Sequence, residues 1–311
     1  MSTTTTASPG TVSTSGTSYT AKAIDVSITL GQGSFGTTGK NTVKLSNLRV
    51  VCTIEKAGMP SFDKAEIRIF GMKQDMMNQL TVLNVPTMMA RPQNTILIEA
   101  GDAVSGMVPV FYGQIGNAWQ SLRDTPEVFF QVVAWTGLEQ KMAPAPPTSV
   151  QGQTDVATVM GSIAKQMGFA FENGGVNVQL ASTYLPGSLM DQAHALARAA
   201  RIELYVDSGT NPPTLAIWPR NQTRAGTTPL ISPASGLVGY PEFQQMYMRF
   251  RCLLNSGLKL GGKIQMKSSI QPANGIWYIV GPLVYNISAQ MPQGPWFCDV
   301  TCAPTLVQPP A

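Results

Sequence analysis

Runs of alternating apolar and polar residues, punctuated by Gly, Pro and Asn clusters, limit this chain more than any other feature. Ile24, Val26, Ile28 and Leu30 point to one side of an extended backbone, as a half-buried strand requires. Further strand-like segments occupy 43–54, 65–70, 95–99, 108–115 and 127–135. A short helix interrupts them, because Met76, Met77, Leu80 and Leu83 recur at helical spacing after Gly71. The Pro-rich stretch 143–147 ends this part. Residues 21–147 are therefore expected to form a mainly β, barrel-like domain.

The period changes in 148–220. Thr154 is the expected N-cap of a helix whose stripe is Val156, Val159, Met160, Ile163 and Met167, with Gly168 as its stop. Ser188, with Asp191 three residues on, opens a second helix in a capping-box arrangement. Its apolar face is Leu189, Ala193, Leu196, Ala197 and Ala200. Two strands, 202–206 and 214–218, close this small α/β module. Residues 221–305 are β again, with strands expected at 246–253, 263–268, 277–287 and 296–302. The fold class expected is mainly β (α+β), with two β-barrel-like domains flanking a small α/β module. Residues 1–20, mostly Ser, Thr and Gly, read as a flexible arm, and 306–311 as a loose tail.

Only 12% of residues are charged against 43% hydrophobic. The charged share is about half that of an ordinary soluble domain, so other protein is expected to cover part of the surface. The net charge is +4 with no Lys/Arg run, which argues against a concentrated nucleic-acid site. No basic region followed by an apolar stretch opens the sequence, so no signal peptide is expected. No window approaches the ~18 apolar residues of a membrane span.

Several constellations invite chemistry and fail on context. Leu30-Gly31-Gln32-Gly33-Ser34-Phe35-Gly36 matches the glycine-rich loop over kinase phosphates. The kinase lysine, His-Arg-Asp and Asp-Phe-Gly motifs do not accompany it, so a loop between two strands is expected. His194 is the only histidine and no metal cluster surrounds it. No Gly-x-Ser-x-Gly elbow exists. Glu55, Glu66, Glu99 and Asp102 are scattered acids without the pairing a glycosidase needs. Cys52, Cys252, Cys298 and Cys302 fit no zinc spacing and read as buried, unpaired thiols of a protein assembled in a reducing cytoplasm. Met59, Met72, Met76, Met77, Met88 and Met89 fill a core or face a partner. No catalytic, cofactor-binding or metal-binding residue is assigned, and no cofactor is expected.

The order of these units resembles a known family. Ala65-Glu66-Ile67-Arg68-Ile69-Phe70-Gly71 followed at once by a short helix looks like the opening of phage baseplate hub proteins. Residues 96–101, then Val110-Phe111-Tyr112-Gly113-Gln114-Ile115, are similar to that family's next hairpin. Met167-Gly168, Pro186-Gly187-Ser188-Leu189 and Leu215-Ala216-Ile217-Trp218-Pro219 fit its middle part. Gly236-Leu237-Val238-Gly239-Tyr240-Pro241, Cys252-Leu253-Leu254-Asn255, Gly275-Ile276-Trp277-Tyr278-Ile279-Val280 and Trp296 fit its close. The resemblance spans about 22–304. It implies a non-enzymatic homotrimer whose six barrels ring a channel at least ~20 Å wide, joining a sixfold tail tube to a threefold spike. It also implies contact with tape measure and baseplate wedge proteins, and DNA only in transit. No lysozyme-like domain follows, so a separate spike protein is implied. A peptidoglycan-cleaving tail enzyme on the same architecture, detectable by zymogram, is the alternative reading. A nucleotide-binding enzyme using Gly31–Gly36, detectable by ATP-dependent stabilisation, is a third.

Overall fold

The computed structural model describes residues 20–35, 39–58, 60–82, 93–123 and 127–304. The mainly β expectation holds, with four α-helices among the described residues. The first β segment contains β1 (Lys22–Thr29), β2 (Thr42–Leu45), β3 (Val50–Lys56) and β4 (Lys64–Phe70). After α1 (Gln74–Leu80) come β5 (Thr95–Asp102), β6 (Gly106–Ser121) and β7 (Phe129–Trp135), then α2 (Leu138–Met142). The expected strand over 43–54 is two strands, because Asn47 turns the chain with φ at 59°. Asn tolerates that left-handed backbone better than most residues.

The middle segment holds β8 (Thr148–Asp155), α3 (Val156–Met167), β9 (Ala170–Asn173), β10 (Gln179–Leu185), α4 (Leu189–Ala200), β11 (Ile202–Asp207) and β12 (Thr214–Pro219). The cap of α3 is Asp155 rather than Thr154, because Thr154 still belongs to β8. The Asp155 carboxylate accepts from the N–H of Thr158 at 2.9 Å. Gly168 ends α3 with φ at 74°, a left-handed backbone that glycine adopts without strain. Ser188 caps α4 as expected, its Oγ accepting from the N–H of Asp191 at 3.2 Å.

The last β segment runs β13 (Leu230–Ile231), β14 (Leu237–Gln244), β15 (Tyr247–Leu253), β16 (Lys263–Met266), β17 (Gly275–Ala289) and β18 (Trp296–Ala303). One 13-stranded sheet unites the first and last β segments in the order β14-β15-β18-β17-β3-β4-β7-β6-β5-β1-β2, with β13 and β16 off that path. This path has two ends, so the expected barrels are not realised as closed rings of strands. Two small sheets, β10-β8 and β11-β12-β9, belong to the middle segment. One apolar cluster fills both β segments and extends to Tyr205, Ala216 and Trp218. A second is built from α3, α4 and their strands.

The two β segments repeat one strand order. In the first, neighbours run β3-β4-β7-β6-β5; in the last, β14-β15-β18-β17-β16. Each begins with a hairpin and follows with a three-stranded meander, and every pairing in both sets is antiparallel. The fourth strand of each order, β6 or β17, is the longest of its set at 16 and 15 residues. Each breaks register at a glycine-bearing bulge, around Gly116 in β6 and Gly281 in β17.

Candidate functional site

The feature that sets this molecule apart is the eight-strand run from β6 to β14. Side chains alternate across a strand, so each face of the run collects alternate residues. One buried row passes through every strand: Ile115, Ala134, Ala65, Ile54, Tyr285, Cys298, Cys252 and Leu237. Nothing in this row marks where the first segment stops and the last begins. The opposite face is polar. Arg251 lies across from Asp299, and its Nε donates to Oδ1 at 2.7 Å. Asn286 donates to the same carboxylate at 3.1 Å. Lys64 pairs with Glu66, and Arg68 donates to Gln131 at 3.2 Å. A shallow groove on this face is lined by Glu55, Tyr240, Glu242, Arg249, Arg251 and Asp299.

A buried polar knot ties the middle segment to both β segments. Asp63, at the entry to β4, accepts from the Tyr205 hydroxyl at 2.7 Å, the Ser208 hydroxyl at 2.6 Å and the Ser208 N–H at 3.2 Å. Its other oxygen accepts from the N–H of Ala57 at 3.1 Å. Asp207 accepts from Lys56 at 3.2 Å and from Arg224 at 2.7 Å. Arg224 also grips Glu172 with two hydrogen bonds, at 2.9 and 2.8 Å. Burial pushes the Asp63 carboxyl up to about 7, although Lys56, Ser208 and Tyr205 oppose the rise. Burial acts the same way on Asp207, but Lys56 and Arg224 outweigh it and hold that carboxyl well below its usual range. Unpaired, such buried charges would be prohibitively costly; mutually paired, they fix one docking geometry.

The residues singled out by sequence are not gathered into one site. Gly31 and Gly33 lie in the connection from β1 to β2, where the Phe35 N–H donates to the Lys40 carbonyl at 2.8 Å; Gly36 lies outside the described residues. No helix opens there, so the phosphate loop lacks its structural context. His194 is half-buried on α4, and burial, then Lys141, lowers its pKa. Asp191 on the same helix instead pairs with Lys141 and Ser188. Glu66 pairs with Lys64, Glu99 with Lys44, and Asp102 with Lys22, while Glu55 lines the groove. Among the described residues no group of three His, Cys, Asp or Glu could hold a metal. The four cysteines are buried, unpaired thiols. Cys252 sits directly across from Cys298, a proximity that spacing along the chain did not reveal. Met77 is in the core with Met72 and Met76 packed against it; Met59, Met88 and Met89 lie outside the described residues.

Sequence reasoning missed the knot, whose members lie up to 151 residues apart. One signal was available. Val50, Cys52 and Ile54 alternate inward, and Lys56 falls in the same phase. A lysine on an inward row calls for a buried partner.

The fold is that of phage tail proteins. A tail protein from Neisseria meningitidis MC58 superposes with a TM-score of 0.59 at 9% identity, over 90% of this chain and 96% of that one. The 43 kDa tail protein of prophage MuSo2 from Shewanella oneidensis gives 0.56 at 8% identity, over 91% and 96%. The E. coli c3393 protein, described as a type VI secretion component similar to T4 bacteriophage tail proteins gp27 and gp5, gives 0.54 at 10% identity, over 83% and 74%. A search of curated protein sequences finds no match. Residues 23–302 match the model of the family described as "Baseplate hub gp41". The chain belongs to that baseplate hub family and is a structural component of a phage tail.

Proposed function

We propose that this protein is the ring-forming adaptor of a phage baseplate, a homotrimer that joins a sixfold tail tube to a threefold spike. The observation that carries this reading is the repeated strand order within one chain. A threefold ring of such chains presents six similar units, which reconciles the two symmetries with one gene product. The units in question are 21–147 and 221–305, with 148–220 as the docked module between them, 1–20 as an arm and 306–311 as a tail. Tube, spike, tape measure and wedge proteins are its partners, and DNA passes through the central channel without being held. The ion pairs of the polar face support this last point, since cations already paired with carboxylates recruit little phosphate. The protein performs no catalysis, assembles in the host cytoplasm and resides in the virion baseplate. Negative-stain imaging and mass measurement of the purified protein and of extracted baseplates test the proposal. Threefold rings are expected, and a chain that is monomeric in baseplates would overturn it. A zymogram with the purified protein is expected to stay dark.

A further inference from the structure

The in-chain junction between the two β segments is a template for a second junction that the chain cannot make with itself. The second half of β17 lies against β3, from Leu283 opposite Lys56 to Ala289 opposite Val50. In the repeated order this joins the fourth strand of the last set to the opening strand of the first. The same order calls for the fourth strand of the first set, β6, to meet the opening strand of the last, β14. These two strands stand at opposite ends of the eight-strand run and do not pair.

Both ends carry what an unfinished junction should carry. Phe243 on β14 belongs to the core-facing row with Met248, Cys302 and Ile279, all buried, yet it is 45% exposed because the sheet stops there. Ile54, in a core-facing row of β3, is fully buried because Tyr285 continues that row. Tyr240, Met246 and Tyr247 extend the bare apolar surface of the β14–β15 hairpin. At the far end, Trp119 and Leu122 are exposed on and just beyond β6. They follow the bulge at Gly116, as the residues paired with β3 follow the bulge at Gly281. Nearer the bulge the β6 edge is already occupied, by Asn94 at Ile115 and by Val82 at Ala118. The region left open is the one that bears Trp119 and Leu122.

We infer that the β14–β15 hairpin of one copy packs against the end of β6 of a second copy, around Trp119 and Leu122. The contact is head-to-tail, the kind that closes a ring when the rotation fits. Bare edges invite indiscriminate pairing, and the Gly239–Pro241 bulge blunts this one so that only a shaped partner fits. Three copies would place twenty-four strands around the ring. At ~4.8 Å per strand the circumference is about 115 Å and the backbone diameter about 37 Å, room for a duplex inside the side chains.

This inference rests on the ring reading above, and one experiment separates their fates. Glu242→Cys and Ser121→Cys are combined in one chain and treated with a short bis-maleimide in assembled baseplates. The native thiols are buried and do not compete. A two-residue register shift moves a site by only ~7 Å, within reach of the reagent. The double variant should give covalent dimers and trimers, and each single variant none. Rings that form without cross-linking would overturn the interface and leave the ring reading standing. Absence of rings would overturn both. In the purified protein, Phe243→Asp should lower the ring fraction about tenfold at fixed concentration while the monomer's melting temperature stays put. An unchanged ring fraction would place the interface elsewhere, and Trp119→Asp checks the same point from the opposite side.

Discussion

The hairpins β3–β4 and β14–β15 open the same strand order and live in opposite circumstances. The first is walled in: β17 covers the edge of β3, and Asp63 and Lys56 at its turn are buried against the middle segment. The second is bare, its edge unpaired and its turn exposing Met246 beside Tyr247. Because the pattern of strands is shared, the difference lies in what each has been given to lean on. A bare hairpin in a chain this poor in charge is one whose cover comes from another molecule.

Substitutions should separate the two hairpins. The largest effect is expected at the knot that seals the first. Arg224→Met strands Asp207 and Glu172, and should destabilise the isolated chain by about 3–5 kcal/mol in denaturant titration. A loss below about 1 kcal/mol would mean that the knot is not what holds the middle segment. Ile54→Ala, in the covered row, should cost about 2–5 kcal/mol by the same measurement.

The third effect depends on pH. Asp63 titrates in the fold at about 7 against an ordinary 3.8, so the folded state holds its proton more tightly than the unfolded chain does. Its stabilisation is therefore complete below the ordinary value and is lost as pH rises through 7. Amide exchange around 57–63 and 205–208 should quicken between pH 5 and 8, over about three pH units, with the β14–β15 hairpin indifferent. Equal acceleration in both hairpins would erase the proposed contrast. Phe243→Ala should cost the isolated chain under about 1 kcal/mol, although its place in the strand order parallels the covered row at Ile54. The smallest effect is at Arg251→Met on the exposed polar face, within about 1 kcal/mol and vanishing at high salt.

Much of the fold was written in local pattern. Alternation marked β1, β4, β7 and β15, and the stripe from Val156 to Met167 marked α3 with Gly168 at its end. Where pattern failed, the cause is specific. The pair β8 and β10 is mostly polar and little buried, so it shows no hydrophobic period. Gly239 and Pro241 interrupt β14, which therefore read as a turn. The union of β3 with β17 has no local signature, because register between strands 230 residues apart is settled by packing alone. For the same reason the repeated strand order became visible only once the pairings were known. Family resemblance supplied the assembly role; the bare edge came from the structure.

The buried thiols give the molecule an internal clock. A thiol reacts only when its sulfur reaches solvent as thiolate, and burial presses Cys52, Cys298 and Cys302 far above their ordinary pKa. Each alkylation event therefore records a parting of strands rather than a property of the sulfur. Cys52 times the opening of the first β segment, and Cys252, Cys298 and Cys302 time the last. In a free chain the last segment, with one flank uncovered, should run the faster clock. In a closed ring the two should keep the same time.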